Sequence, residues 1–143
     1  APGAVERRKG VHRASADTST SVTVLAGGVT EREGAAAARQ MLESGLPTAV
    51  FAFNDRCALG VIDVFIRAGI AVPGDVSVVG YDNSPLTGLA HIDLTTVGQD
   101  STALADLAVA RAITRIEDGP TTAVDVVCEP HLVVRGTTAA PGA

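Results

Sequence analysis

The sequence of 143 residues has no tryptophan, one tyrosine and three phenylalanines, so aromatic side chains make up only 3% of it. It is also poor in basic residues, because 11 lysines and arginines face 16 aspartates and glutamates, for a net charge of -5. Nucleic-acid binding needs a dense basic surface to neutralise phosphates. The sequence therefore argues against nucleic-acid contact by this chain, and its one basic cluster, Arg7-Arg8-Lys9, is predicted to lie on a solvated helix.

Cysteine and long apolar runs are scarce too. Cys57 and Cys128 lie in apolar runs, where a thiol usually behaves as a small buried hydrophobe, and their spacing matches no metal motif. No apolar run approaches the roughly 18 residues of a membrane span, and no signal peptide opens the chain. The sequence predicts a cytoplasmic protein with reduced cysteines, no metal, no cofactor and no membrane partner, a single disulfide being the alternative.

The patterning that is present alternates short apolar runs with helical segments. It predicts strands at 22–26, 49–53, 76–80, 94–97 and 132–135, and helices at 5–14, 30–45, 56–68 and 102–117. Strands separated by long helices need crossover connections, which make the sheet mainly parallel. The expected fold class is α/β: one domain with an open, mainly parallel sheet and helices on both faces.

Local signals fix several helix ends. Thr30 and Glu33 form a capping box at the start of the helix at 30–45, and Gly45 is predicted to end it. Asp55 precedes the helix at 56–68 and is predicted to be its cap.

Polar side chains follow two of the strands. Asn54 and Asp55 come after the strand at 49–53, and Asp82 follows the strand at 76–80. Ligands bind open parallel sheets outside the carboxyl ends of the strands, where such loops converge. Turn chemistry alone explains Asp82 poorly, because no helix is predicted to begin there, so a binding site at this edge is expected.

An enzymatic alternative uses Asp55 and Asp82 as paired carboxylates. The sequence argues against it, because no serine, cysteine or lysine nucleophile adjoins a base and no phosphate loop is present. The three histidines, His12, His91 and His131, have no ligand spacing. No catalytic residue is therefore predicted.

Several motifs together are specific. The segments ERRKGV, GGVTEREGAAAARQML, AVFAFNDRCALGVIDVFIRAGIAVPGDVSVVGYDNSPL, LTTVGQD and HLVVRGTT occur in the order and spacing of the C-terminal half of the lactose-repressor/galactose-repressor (LacI/GalR) family. The chain resembles that half over nearly its whole length. Members of the family have a DNA-binding head and two lobes of the periplasmic binding protein-like I fold, with an effector between the lobes. The resemblance implies that residues 1–143 form the second, effector-binding and dimerisation lobe, without the head and most of the first lobe.

The resemblance also implies the effector contacts, which are Arg7, Asn54, Asp82 and Gln99. An arginine fork and a carboxylate each present two groups to neighbouring hydroxyls, which suits a sugar or related polyol. Val29 stands where many sugar-binding members have an aromatic residue, which removes one stacking surface. The chain is expected to be the sensing part of a homodimeric transcription regulator that reaches operator DNA only through its head. A periplasmic sugar-transport receptor is the alternative.

Two surfaces are expected to need partners. The helix at 56–68, with help from 34–44, is predicted to self-associate. The segment at 98–119 is implied to cross to the first lobe, and its helix at 102–117 carries an apolar stripe: Ala105, Val109, Ala112, Ile113 and Ile116. We expect this stripe to be covered by another copy or by folding back on its own sheet. Because Ala1 opens the chain and Met41 is its only methionine, a processed product or proteolytic remnant is also expected.

Overall fold

Helices and strands alternate along the chain. The computed structural model describes residues 2–18, 20–119 and 125–141. In chain order the elements are α1 (Pro2–Ala16), α2 (Glu31–Ser44), β1 (Ala49–Phe51), α3 (Asp55–Arg67), β2 (Ser77–Asp82), a 3-10 helix (Pro85–Gly88), β3 (Thr96–Gly98), α4 (Ser101–Glu117) and β4 (His131–Val133). The predicted fold class is confirmed, because these elements form an α/β protein with an open, mostly parallel sheet.

The sheet has four strands in the order β1-β2-β3-β4. The first three run parallel, with Val50 opposite Val78 and Gly80 opposite Thr96, whereas β4 runs antiparallel to β3. The carboxyl ends of β1, β2 and β3 therefore meet at one side of the sheet, where open α/β folds bind ligands. We call this side, formed by residues 53–55, 81–84 and 98–100, the carboxyl edge.

Residues 135–139 complete the sheet beside the first half of β2. The amide of Val78 donates to the carbonyl oxygen of Thr137 at 2.8 Å, and the Thr137 hydroxyl donates to the Val78 carbonyl oxygen at 2.7 Å. The same hydroxyl accepts the amide of Thr95 at 2.9 Å. β3 begins at Thr96, later than predicted, because this segment occupies the earlier ladder positions.

The predicted ends of α2 are confirmed. The Thr30 side chain accepts the Glu33 amide at 3.3 Å, and the Glu33 carboxylate accepts the Thr30 amide at 2.9 Å. Gly45 closes the helix with a φ of 117°, which glycine adopts without steric cost, and its amide donates to the Met41 carbonyl oxygen.

α3 is apolar on most of its sides, and these sides are buried because the helix packs against both β2 and α2. Where the helices cross, Gly34 of α2 meets the carbonyl oxygen of Cys57, and Gly60 of α3 meets the carbonyl oxygen of Glu31. A Cβ at either glycine would overlap that oxygen. At the exposed end of this contact, two hydrogen bonds of 2.8 Å from Arg56 lower the pKa of Glu31 to about 2.

The core lies between the α2 and α3 pair and the sheet. Phe65 and Leu94 are 0% exposed and are its largest fully buried side chains. Burying side chains of this size contributes about 1.5–3 kcal/mol each. The other buried apolar residues are Ala37, Ala38, Met41, Val50, Ala52, Cys57, Ala58, Val61, Val64, Val76 and Val78.

The predicted strand at 22–26 is wrong, because residues 21–28 have no strand geometry. Leu25 packs against the core, and the carbonyl oxygen of Gly27 accepts the Cys57 thiol at 3.1 Å. An open surface pocket of about 360 Å³ lies beside the start of this segment and is lined by Val11, Val22 and Phe51 among others. The alternating pattern does not mark a buried side here, because Val24 is 56% exposed and the contact with the core is made by Leu25, which is out of step with the alternation.

None of the residues of α4 is buried, and its Ile116 is 83% exposed. The helix begins at Asp100, whose side chain accepts the Ala103 amide at 2.9 Å. It does not fold back on the sheet of its own lobe, so that expectation for the helix at 102–117 is wrong. The end of β3 and the start of β4 are adjacent in the sheet, with Gly98 opposite His131, so the chain leaves the sheet and returns to it at one place and α4 lies outside the core.

Candidate functional site

Arg7 reaches the carboxyl edge from α1. Its guanidinium carbon lies 3.4 Å from the centroid of the Tyr81 ring and 4.8 Å from that of Phe53. One guanidinium nitrogen, Nη1, donates to the Phe53 carbonyl oxygen at 2.6 Å. Stacking on an aromatic face stabilises an arginine through cation–π attraction and limits its rotamers. Arg7 is therefore a half-buried cation held in one orientation beside the ends of β1 and β2.

Asp82 is the last residue of β2 and has a φ of 110°, which is unusual for a residue with a side chain. Its carboxylate accepts a long hydrogen bond of 3.4 Å from the side-chain amide of Gln99. Desolvation raises the pKa of Asp82, and the negative charge of Asp55 raises it further, while Arg7 and Gln99 oppose the shift. Asp82 is thus an exposed acceptor within electrostatic reach of Arg7.

Asn54 also lies at the carboxyl edge, but its side chain is already engaged. Its Oδ1 caps α3 by accepting the Cys57 amide at 2.8 Å, and its Nδ2 donates to the Val29 carbonyl oxygen at 3.0 Å. A side-chain amide offers two donors and two lone pairs. One N–H and one lone pair of Asn54 are therefore left for another partner.

The prediction that Asp55 caps α3 is wrong. The cap is Asn54, whose extended backbone (φ -150°, ψ 174°) suits that position, and Asp55 is the first helical residue. Asp55 is 1% exposed and its carboxylate accepts the Ser84 amide at 2.7 Å and the Thr96 hydroxyl at 2.6 Å. Its charge also lies at the positive end of the α3 dipole. Asp55 therefore joins α3, β3 and the loop after β2.

Removing the Asp55 carboxylate tests this junction. Asp55→Ala leaves the half-buried Ser84 amide and the buried Thr96 hydroxyl without their acceptor, which should lower the free energy of unfolding by about 2 kcal/mol in urea titrations. Asp55→Asn is the matched control, because its oxygen can accept from Ser84 while its amide donates to the rotatable hydroxyl. We expect the asparagine to cost less than half as much; equal losses would contradict these hydrogen bonds.

The structure brings Arg7, Asp82 and Gln99 together and places Asn54 next to Phe53, the residue that Arg7 contacts. Sequence reasoning missed the aromatic pair of Phe53 and Tyr81. The available signal was position, because each aromatic residue immediately precedes a predicted site residue at a strand end.

Within 2–18, 20–119 and 125–141, no group of three or more histidine, cysteine, aspartate or glutamate side chains is placed to hold a metal ion. Over the same residues, no helix has both the length and the apolar character that a membrane crossing requires.

An open α/β sheet with binding-competent side chains at its carboxyl edge, and with two neighbouring strands that lead to and from an outlying helix, has the architecture of one lobe of a two-lobe binding protein. A sequence model described as the periplasmic binding protein-like domain matches residues 1–138. The chain belongs to that family.

Relatives of the chain are transcription regulators of the LacI type. The chain is 34% identical over 134 residues to the HTH-type transcriptional repressor PurR of Photobacterium profundum, over 91% of this chain and 40% of that protein. A LacI transcriptional regulator from a Rhodococcus species superposes with a TM-score of 0.89 at 49% identity, over 99% of this chain and 53% of that one.

A third relative is a transcriptional regulator CelR–cellobiose complex, with a TM-score of 0.83 and 33% identity over 93% of this chain and 42% of that one. The chain therefore spans about half or less of the length of these relatives. The resemblance to the C-terminal lobe of LacI/GalR regulators is confirmed, and the regulator is favoured over the transport receptor.

Proposed function

We propose that this chain is the effector-sensing lobe of a LacI-type transcription regulator and that its effector is a sugar or related polyol. The observation that carries the proposal is the placement of Arg7 on Tyr81 beside the Asp82 and Gln99 pair. These groups provide a fixed cation, an exposed carboxylate and an amide at one edge. Adjacent hydroxyls can donate to Asp82 and accept from Arg7, and Gln99 can do both.

Effector binding acts on transcription through a change in how two lobes sit relative to each other. Lobe closure over a ligand shifts a conformational equilibrium, and a DNA-binding head reads the result at the operator. In this proposal the first lobe covers α4, whose Leu104, Val109 and Ile113 are 48–59% exposed. The activity requires no catalytic residue and no cofactor.

The assembly that we propose is a cytoplasmic homodimer formed through α2 and α3. Three apolar side chains on and just after these helices are exposed: Leu42 at 37%, Leu46 at 36% and Ile66 at 62%. A symmetric two-fold contact would cover them in both copies. Sedimentation at micromolar concentration tests this point, and a monomer would contradict it.

The paired-carboxylate enzyme is disfavoured by the state of Asp55. Both of its oxygens accept hydrogen bonds and the residue is 1% exposed, so it has no access to a substrate. General acid–base catalysis needs the carboxyl within hydrogen-bond reach of the reacting group.

Calorimetric titration of the complete protein tests the proposal, with cellobiose, ribose and a panel of further sugars and nucleobases. We expect one polyol to bind and to change the affinity for operator DNA. Coding sequence upstream of Ala1 provides a second test: a helix-turn-helix agrees with the regulator, and a signal peptide would establish the transport receptor. Failure of every polyol to bind would overturn the assignment of the effector.

The pH dependence of sugar binding follows from Asp82. Hydroxyl groups donate to its ionised form, so affinity is present above the pKa of Asp82 and is lost as the pH falls through it. Because burial raises that pKa, the loss should begin at a higher pH than for an ordinary aspartate. Titrations from pH 7 downward measure the effect, and Asp82→Asn should abolish it. A pH-independent affinity in the unsubstituted protein would remove Asp82 from the site.

A further inference from the structure

Two consecutive residues at the carboxyl edge have a left-handed backbone. The φ angles are 110° at Asp82 and 50° at Asn83. Residues with a Cβ pay roughly 1–2 kcal/mol each for such conformations, although asparagine pays less than most. A strained pair of this kind persists only where neighbouring contacts hold it in place.

Arg135 provides those contacts from the other end of the chain. Its Nη2 donates to the side-chain oxygen of Asn83 at 2.8 Å, across 52 positions in the sequence. Its Nη1 donates to the Thr87 hydroxyl at 3.0 Å and to the Leu94 carbonyl oxygen at 2.8 Å. One guanidinium thus ties together three points of the segment from 83 to 94.

Arg135 is itself fixed by its backbone. Its amide donates to the Thr95 hydroxyl at 2.9 Å, and the same hydroxyl donates to its carbonyl oxygen at 3.1 Å. On the opposite side of the loop, the buried carboxylate of Asp55 holds the Ser84 amide. The left-handed pair is therefore held from two directions by side chains whose own positions are set by α3 and by the sheet.

The strands that lead to and from α4 both reach this pair. Gln99 follows β3 and donates to Asp82, whereas Arg135 follows β4 and donates to Asn83. The two strands are paired, with Gly98 opposite His131. Both strands that flank α4 are therefore followed by a residue whose side chain contacts the Asp82 and Asn83 pair.

We propose that Arg135 is a positioning residue of the effector site: it holds the left-handed backbone at Asp82 and Asn83 and so sets the direction of the Asp82 carboxylate. The proposal rests on the assignment of Asp82 as an effector contact. Arg135 lies behind the loop and acts on the ligand only through its hold on Asn83. Lysine can replace it only in part, because a single ammonium lacks the planar fork that reaches three separate acceptors.

Hydrogen exchange on the ligand-free complete protein measures this hold. In Arg135→Met we expect the amides of 87–94 to exchange about tenfold faster, since the bonds of the Thr87 and Leu94 amides lie in the released segment. The exchange rates of these amides in Arg135→Lys should lie between those of the unsubstituted protein and those of Arg135→Met. Amides of α3 should change far less. Arg67→Met is the matched control, because it removes an exposed arginine of α3 that pairs with Asp63, and it should leave the loop unchanged.

A rescue experiment separates positioning from a general loss of stability. Glycine adopts a left-handed backbone without cost, so Asn83→Gly added to Arg135→Met should restore much of the lost protection at 87–94. If Arg135 serves only as a half-buried hydrogen-bond donor, removing its Asn83 acceptor as well will not restore protection. Unchanged exchange in Arg135→Met, or additive losses in the double variant, would overturn the proposal.

The sugar assignment and the positioning role of Arg135 can be refuted independently of each other. These exchange measurements need no ligand, so a panel in which no polyol binds would refute the sugar assignment and leave the hold on Asn83 as measured. If a sugar does bind, Arg135→Met should lower the sugar affinity about tenfold when Asp82 is present. In the Asp82→Ala background the same substitution should have little further effect on the affinity. Equal weakening in both backgrounds would show that Arg135 does not act through Asp82.

Discussion

Gly60→Ala is expected to lower the free energy of unfolding by about 3 kcal/mol, because its methyl group would overlap the backbone carbonyl oxygen of Glu31. A side chain in that position could rotate away, but a backbone oxygen cannot, so α2 and α3 must move apart. That movement would also loosen the packing of Phe65 and Val61 in the core. Urea unfolding followed by circular dichroism measures the change.

Gly10→Ala is the control for this prediction. Gly10 lies in α1, and no atom lies within 4 Å of the place that an alanine Cβ would take there. Alanine at this position should therefore stabilise the protein by up to about 1 kcal/mol through helix propensity. The two substitutions are chemically identical and are expected to have opposite signs. A stabilising Gly60→Ala would mean that the helices do not cross as closely as described.

Asp82→Ala is expected to weaken effector binding by the complete protein by about 2–4 kcal/mol, or roughly 30- to 1000-fold. The substitution removes the carboxylate that accepts ligand hydroxyls and leaves Gln99 without the acceptor that orients it. Because alanine also has a Cβ, the substitution does not relieve the backbone strain at a φ of 110°. Calorimetric titration with the best-binding sugar of the panel gives the value.

Asp63→Ala is the matched control for this experiment. Asp63 is an exposed aspartate of α3 that pairs with Arg67, and its loss should leave the sugar affinity unchanged. If Asp82→Ala binds the sugar with the original midpoint, Asp82 is not a contact residue, and the polar groups at the carboxyl edge serve only the fold.

Local interactions made much of the fold predictable. The capping box at Thr30 and Glu33 and the closing Gly45 depend on neighbours within one turn, and both occur as predicted. The prediction of a strand at 22–26 failed because a short alternation of apolar residues specifies neither a hydrogen-bond partner nor which side is buried, and Val24 is 56% exposed. The choice of cap failed for a different reason: both Asn54 and Asp55 suit the position, and a hydroxyl 41 positions away at Thr96 decides between them.

The polar residues that face the candidate site could be predicted from the sequence, but the contacts that hold them in position could not. Strand ends and the family resemblance indicated Asp82 and Gln99, and the structure places them in contact. The stacking of Arg7 on Tyr81 depends on where α1 docks, which no local pattern specifies. Arg135 was also missed, since its acceptors come from three separate positions that only the tertiary structure brings together.

Residues 135–139, which are synthesised after the four strands, are needed to complete the sheet, and this affects folding on the ribosome. In this segment Thr137 bonds both Val78 and Thr95, and Arg135 fastens the loop that follows β2. Helices α2 and α3 can pack as soon as they emerge, because their contact is local. The sheet cannot be completed until residue 139 has left the exit tunnel. The nascent lobe therefore leaves the edge of β2 at Val78 without its hydrogen-bond partner throughout the synthesis of α4 and β4, an interval in which an unpaired strand edge is open to wrong pairing.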